Sequence, residues 1–204
     1  MGVGAGLFYR EYFQECYMAK ANLDGTHLAG ADLRKADLHG ARLQKANLVG
    51  ANLNGANLTK AYLAGAYLSG ADLTRASLSG ANLSGTNLSG ACLAGADLVD
   101  ANLQCANLVG ANLTGADFCG ANLSGAKLVD ANLQCVNLGG VSLIGTNFGS
   151  ANLSGANLDA ANLPCANFSG ASLTNANFRK ADLSGASFIG TDLNKANLAG
   201  ANLI

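Results

Sequence analysis

The chain has 204 residues, of which half are hydrophobic, 12% charged and 6% aromatic, with 12 Lys+Arg against 13 Asp+Glu. That apolar content with a formal net charge of −1 excludes intrinsic disorder, and near-neutrality speaks against a general nucleic-acid binder, which carries a basic excess. Charged or polar residues break every long apolar run, so no transmembrane segment is expected.

Residues 1–20, MGVGAGLFYREYFQECYMAK, stand apart from the rest. Tyr9, Phe13 and Tyr17 recur at i, i+4 and i+8 beside Phe8, Tyr12 and Cys16, a spacing that predicts a short amphipathic helix. There is no basic n-region and no useful apolar h-region, so a signal peptide is not expected. Gly2 suits a myristoylation start, but Gly6 stands where Ser or Thr is needed. Gly2, Gly4 and Gly6 follow no predicted strand, so a phosphate loop is unsupported.

From Ala21 the sequence falls into fives: ANLDG, THLAG, ADLRK, ADLHG, ARLQK, ANLVG and onward to ANLI. Every fifth residue from Leu23 to Leu203 is Leu or Phe, with Phe only at Phe118, Phe148, Phe168, Phe178 and Phe188. Two residues before each such centre stands Ala, replaced only by Thr26, Thr86, Val136, Val141, Thr146 and Thr191. Asn, Asp or Ser precedes most centres, and Gly dominates two residues after them. On an α-helix a step of five residues advances roughly 500°, so successive leucines would circle the axis. On a strand an odd step would send them to alternate faces. The pattern buries them together only if the chain turns a corner every five residues. That is a solenoid, with coils hydrogen-bonded at the ~4.8 Å spacing of strands.

Tandem A(N/D)LxG closely resembles the pentapeptide-repeat family over residues 21–204. The resemblance implies an all-β chain, a right-handed quadrilateral β-helix with four pentapeptides per coil. The centre and the small residue two before it would point inward. The repeats then make about nine coils and a rod of about 43 Å. Residues 21–204 read as one solenoid domain, and residues 1–20 as a helical cap on its first coil, which would otherwise expose strand edges. A membrane- or partner-docking helix is the alternative for that segment. The other end stops at Ile204 without a cap. Some family members dimerise through C-terminal coils, so the resemblance implies a homodimer; a truncated chain or a frayed end would leave it a monomer.

With twenty residues per coil, Phe148, Phe168 and Phe188 share one column, and Phe118 and Phe178 the opposite one. Cys105, Cys135 and Cys165 each meet glycines above and below, and Cys92 lies between Asp72 and Asn112. Cys16, Cys92, Cys105, Cys119, Cys135 and Cys165 therefore form no disulfide ladder, which suits a reducing, cytoplasmic setting. His27 and His39 approach no cysteine, so neither a metal nor a cofactor is expected. Asp97 and Asp117 stack as a solvated pair of carboxylates, and no Ser/His/Asp constellation can be assembled. The chain reads as non-enzymatic.

Charge is distributed unevenly: +2 over residues 1–75, −4 over 76–178 and +1 over 179–204. The basic third carries Arg34, Lys35, Arg42, Lys45, Tyr62 and Tyr67, of which Tyr and Arg are the types favoured in interface centres, and these six form the candidate partner patch. Arg42 would stack beside Tyr62 in a cation–π contact. The expected function is a structural scaffold or protein-interaction module with an unidentified protein partner and no direct nucleic-acid contact. The alternative implied by the resemblance is a DNA mimic that binds DNA gyrase. It needs a strongly negative rod, and a middle segment at −4 falls short of one.

Overall fold

The computed structural model describes residues 12–204. An unbroken series of parallel bridges joins each residue before a centre to the residue twenty further on, from Tyr12↔Asp32 to Asp182↔Asn202. Twenty residues with four turns therefore make one coil, a quadrilateral cross-section with four flat faces. The first face carries the column Asn22, Arg42, Tyr62; the second His27, Asn47, Tyr67; the third Tyr12, Asp32, Asn52; the fourth Tyr17, Asp37, Asn57.

The hydrogen bonding repeats with the sequence. Within the third face, Asn52 N–H donates to the Ala31 carbonyl at 2.9 Å, and Leu33 N–H to the Asn52 carbonyl at 2.7 Å. At the corner Lys35 N–H donates to the Asn54 carbonyl at 2.9 Å, and Ala36 N–H closes the turn on the Leu33 carbonyl at 3.1 Å. The third residue of each such turn has positive φ, at every fifth position from Glu15 to Gly200. Glycine is preferred there because it has no β-carbon to clash. The turn also explains the Asn/Asp preference before each centre. The side-chain oxygen of Asn52 accepts the Asn54 N–H at 3.1 Å, and Asn82 does the same for Ser84, which fixes the corner as an Asx turn.

Leucines, phenylalanines and alanines from Leu28 to Leu183 fill one continuous interior. Each fully buried Leu or Phe contributes about 1.5–3 kcal/mol relative to leaving it in water. Thr is tolerated at the small inward position because its hydroxyl finds a carbonyl. Thr86 donates to Leu83, and Thr146 to Leu123 at 2.9 Å, so neither buried oxygen is left unpaired. Phe148 and Phe168 stack at 4.9 Å, Phe168 and Phe188 at 5.2 Å, and Phe178 meets Phe168 edge-on from the opposite wall at 5.7 Å. The two phenylalanine columns are as the twenty-residue register predicts.

The N-terminal helix is corrected over the residues the structure describes. Tyr12 and Tyr17 bridge to Asp32 and Asp37, and Phe13 and Met18 pack as centres against the interior. Residues 12–20 are two pentapeptides of the first coil, with Glu15 and Lys20 at the left-handed corners. Cys16 fills the small inward position, and its carbonyl accepts Asp37 N–H at 2.9 Å. A helix would have broken these coil-to-coil bonds. Residues 1–11, which hold the remaining part of the expected cap and the glycine-rich start, lie outside the described residues. Among the described residues, thirty-nine centres from Phe13 to Leu203, four to a coil, make just under ten coils rather than nine.

Candidate functional site

The walls offer only side chains, since their backbone groups are used from coil to coil. On the first face Arg42 N–H donates to Ala21, Tyr62 N–H to Ala41, and the Tyr62 carbonyl accepts Leu43 N–H. What the surface can recognise is therefore set by the residues before the centres and at the corners.

The six candidate patch residues divide into two groups. Arg42 and Tyr62 are neighbours on the first face, Lys45 sits at the corner between the first and second faces, and Tyr67 follows on the second. These four form one surface, with Tyr62 49% and Tyr67 52% exposed. Arg34 and Lys35 lie at the diagonally opposite corner, between the third and fourth faces. They are also occupied. Arg34 donates to Asp32 through Nε and Nη2 at 2.8 and 2.6 Å and to Gln14 at 3.2 Å, and Lys35 pairs with Glu15 at 3.4 Å. The hydrogen bond to Asp32 holds the Arg34 guanidinium above its ordinary pKa. The structure thus separates this pair from the other four.

Arg42 does not stack on Tyr62 as the register suggests. Its guanidinium turns to Asp24 in the preceding coil, donating through Nε and Nη2 to Oδ2 at 2.9 and 2.6 Å. The other Asp24 oxygen accepts Gln44 N–H at 2.9 Å. Asp24 is consequently held below the usual carboxylate range, first by the Arg42 hydrogen bond, with the Gln44 amide adding to it. A shallow groove lined by Lys20, Gly40, Arg42, Gln44 and Tyr62 crosses the face here. Lys20, and Lys60 two coils further along the same corner, are part of this surface although the candidate patch omits them. The map by twenties contains the signal, because Lys20, Gly40, Lys60 and Gly80 fall in one column.

The remaining candidates stay apart. His27 is exposed on the second face, and His39 lies at the corner after the fourth. All six cysteines are free, with Cys105, Cys119, Cys135 and Cys165 exposed. Among the described residues, no three His, Cys, Asp or Glu side chains are grouped closely enough to hold a metal ion. Asp97 and Asp117 are adjacent on the fourth face. Below them runs an amide ladder in which Asn137, Asn157, Asn177 and Asn197 each donate to the residue of the preceding coil, at 2.9, 3.1, 3.2 and 3.3 Å. Its first acceptor is Asp117, which gives that carboxylate a structural partner. Among the described residues, no helix is long and apolar enough to cross a membrane.

Known proteins place this arrangement. None of the curated proteins is significantly similar to the chain. Among solved structures, HetL, a pentapeptide repeat protein involved in heterocyst differentiation regulation from the cyanobacterium Nostoc sp. strain PCC 7120, is 38% identical, with 93% of this chain and 90% of HetL covered and a TM-score of 0.46. QnrB1, a plasmid-mediated fluoroquinolone resistance protein, is 23% identical over 88% of this chain and 90% of its own, and at a TM-score of 0.80 it shares the fold. A pentapeptide repeat protein from the Arabidopsis thaliana thylakoid lumen is 34% identical over 55% of this chain and 68% of its own, with a TM-score of 0.26. The family described as pentapeptide repeats matches in eight copies, over residues 12–50, 51–90, 81–118, 111–149, 151–188 and 181–204. Those matches begin at Tyr12, where the bridges of the described residues begin, and with the five-residue period and the four-sided coil they show that the chain belongs to the pentapeptide-repeat family.

Proposed function

We propose that this protein is a non-enzymatic, rigid protein-interaction module of a reducing compartment such as the cytoplasm, engaging its partner through its first coils. The observation that carries the reading is the contiguous surface of Arg42, Lys45, Tyr62 and Tyr67. It combines cations with two half-exposed aromatic rings on a wall whose backbone is already committed. Tyr and Arg give large contact area at low entropic cost, which is why they dominate interface centres. Free thiols throughout the chain support the reducing setting.

Affinity capture with the wild-type chain and an Arg42→Glu/Lys45→Glu variant tests the proposal. A partner retained by the wild type and lost by the variant supports it, with Arg34→Glu/Lys35→Glu retaining that partner. Equal recovery by all three proteins removes the surface from consideration. The second reading, a DNA mimic acting on gyrase, draws on the rod shared with QnrB1. Its charge does not match, since Asp97, Asp100, Asp117, Asp130 and Asp159 are the only acids in the roughly five coils of residues 76–178 and are offset by Lys127. Unchanged supercoiling by gyrase at micromolar protein would exclude it.

A further inference from the structure

We infer that the first three coils bind a short, extended acidic segment of a partner protein, laid along the corner that carries Lys20 and Lys60. This rests on the reading of the chain as an interaction module and specifies what that module takes.

The corner column runs Lys20, Gly40, Lys60, Gly80, Asp100. Its members share one left-handed backbone conformation, so the lysines replace glycine without changing the path of the chain. Each lysine stem leans over the glycine of the next coil. A β-carbon on Gly40 would stand 3.5 Å from Lys20 Cγ, and one on Gly80 would stand 3.4 Å from Lys60 Cγ. The two ammonium groups are thereby carried along the rod axis, about 10 Å apart at two coil spacings. Neither has an ion-pair partner among the described residues, and neither has Lys45 at the far edge of the same face. The cations elsewhere in these coils are neutralised locally: Arg34 by Asp32, Lys35 by Glu15, and Arg42 by Asp24. Among the described residues of these coils, Lys20, Lys45 and Lys60 are therefore the uncompensated cations around this face, against one carboxylate outside any ion pair, Asp37 on the adjoining fourth face.

The occupant follows from the geometry. With the amides and carbonyls of the bridging residues engaged between coils, a peptide cannot add as a strand, and recognition rests mainly on side chains. An extended chain advances about 3.1–3.3 Å per residue, so acidic residues two or three apart bring carboxylates within reach of both lysines. Tyr62 supplies an apolar plane beside Lys60, one coil beyond Arg42. The column also sets a length limit. Two coils beyond Lys60 it reaches Asp100, and the adjoining fourth face presents Asp97 and Asp117. A long polyanion such as a nucleic acid would run from attraction into repulsion, whereas a segment spanning three coils would not.

The test uses the full chain and a fluorescein-labelled glutamate peptide of about five residues, about 16 Å when extended and so matched to three coils. Fluorescence anisotropy is read at about 50 and about 300 mM NaCl, beside a labelled single-stranded DNA of similar length. Binding of the peptide that weakens with salt is expected. It should weaken about tenfold in Lys20→Glu/Lys60→Glu and remain at wild-type strength in Lys180→Glu/Lys195→Glu, which has the same net charge. Equal binding by both variants, no binding by the wild type, or tighter binding of the DNA overturns the inference. Partners captured through Arg42 and Lys45 but indifferent to Lys20→Glu/Lys60→Glu would leave the interaction module standing and this inference refuted.

Discussion

The sulfur of Cys105 lies over Gly125 in the next coil, 3.3 Å from where a β-carbon on that glycine would stand. The same relation joins Cys135 to Gly155, Cys165 to Gly185 and Arg75 to Gly95. A corner side chain leans toward the following coil, and a glycine there receives it. Two separable penalties therefore attach to Gly125, whose 3.3 Å is tighter than ordinary contact, while the 3.5, 3.6 and 3.7 Å at Gly155, Gly185 and Gly95 leave only the backbone one. Gly85 also has left-handed φ but no atom near the added β-carbon. Gly85→Ala is expected to cost about 1–2 kcal/mol from backbone strain alone. Gly125→Ala should cost more, because Cys105 must also move, and Cys105→Gly should remove that excess. Urea midpoints for the two alanine variants and the Cys105→Gly/Gly125→Ala double variant would check this, and equal costs for the alanine variants would show that the corner contact is unimportant.

Phe168 makes all three of the ring contacts in the later coils: two stacked and one edge-on. Phe168→Ala leaves a void in a close-packed interior and should cost about 3–5 kcal/mol. Phe168→Leu installs the residue found at most other centres. It should cost about 1 kcal/mol, the stacking contribution of the ring with little cavity. Phe188→Leu should cost less again, since Phe188 is only partly buried near the chain's last coil. Thermal unfolding of the three variants gives the order, and a larger loss for Phe188→Leu than for Phe168→Leu would contradict it.

Asp24 ties the first coil to Arg42 in the second and has a lowered pKa in consequence. A carboxylate depressed by folding stabilises the native state above its unfolded pKa of about 3.9, and that contribution disappears as pH falls through the lower folded value. Wild type should therefore exceed Asp24→Asn in stability at neutral pH, with the difference shrinking as acid protonates Asp24. The exposed setting keeps the effect small and salt-sensitive. Denaturation midpoints measured from pH 7 into the acid range give the comparison, and a difference that grows on acidification would reverse the argument.

The interior was legible because a five-residue period buries Leu and Ala only if the chain turns a corner every five residues, while the number of corners per coil came from the family resemblance. The first coil was harder to read. Phe13 and Met18 are five apart and lead into Leu23, yet Tyr9, Phe13 and Tyr17 are also spaced like one face of a helix. With Cys16 in place of Ala at the inward position and aromatic residues before both centres, the helical period was the more visible one. The coil-to-coil hydrogen bonds favour the other. The surface was legible in type but not in grouping. Arg34 and Arg42 are close in sequence, but the corners set them on different sides and their acids differ. Lys20 and Lys60 are forty residues apart and share a column.

Ala160 tests whether the repeat tolerates strain it could relieve. It is the one alanine among the corner residues of positive φ, at φ 54, while Gly holds most of these positions. An alanine methyl makes no hydrogen bond to offset the left-handed conformation, unlike Asp or Asn, whose short polar side chains can bond locally. Glycine there would relieve about 1–2 kcal/mol of strain but add about 0.5–1 kcal/mol of unfolded-state entropy. Ala160→Gly should accordingly be neutral to stabilising, by up to about 1 kcal/mol, while the matched change Ala161→Gly should destabilise. Ala161 faces the interior, where the methyl packs and φ is not left-handed. Opposite shifts in the urea midpoint for these two adjacent substitutions are the expected result. Loss of stability in both would mean that the corner backbone is set by its hydrogen bonds alone, at no cost to a residue with a β-carbon.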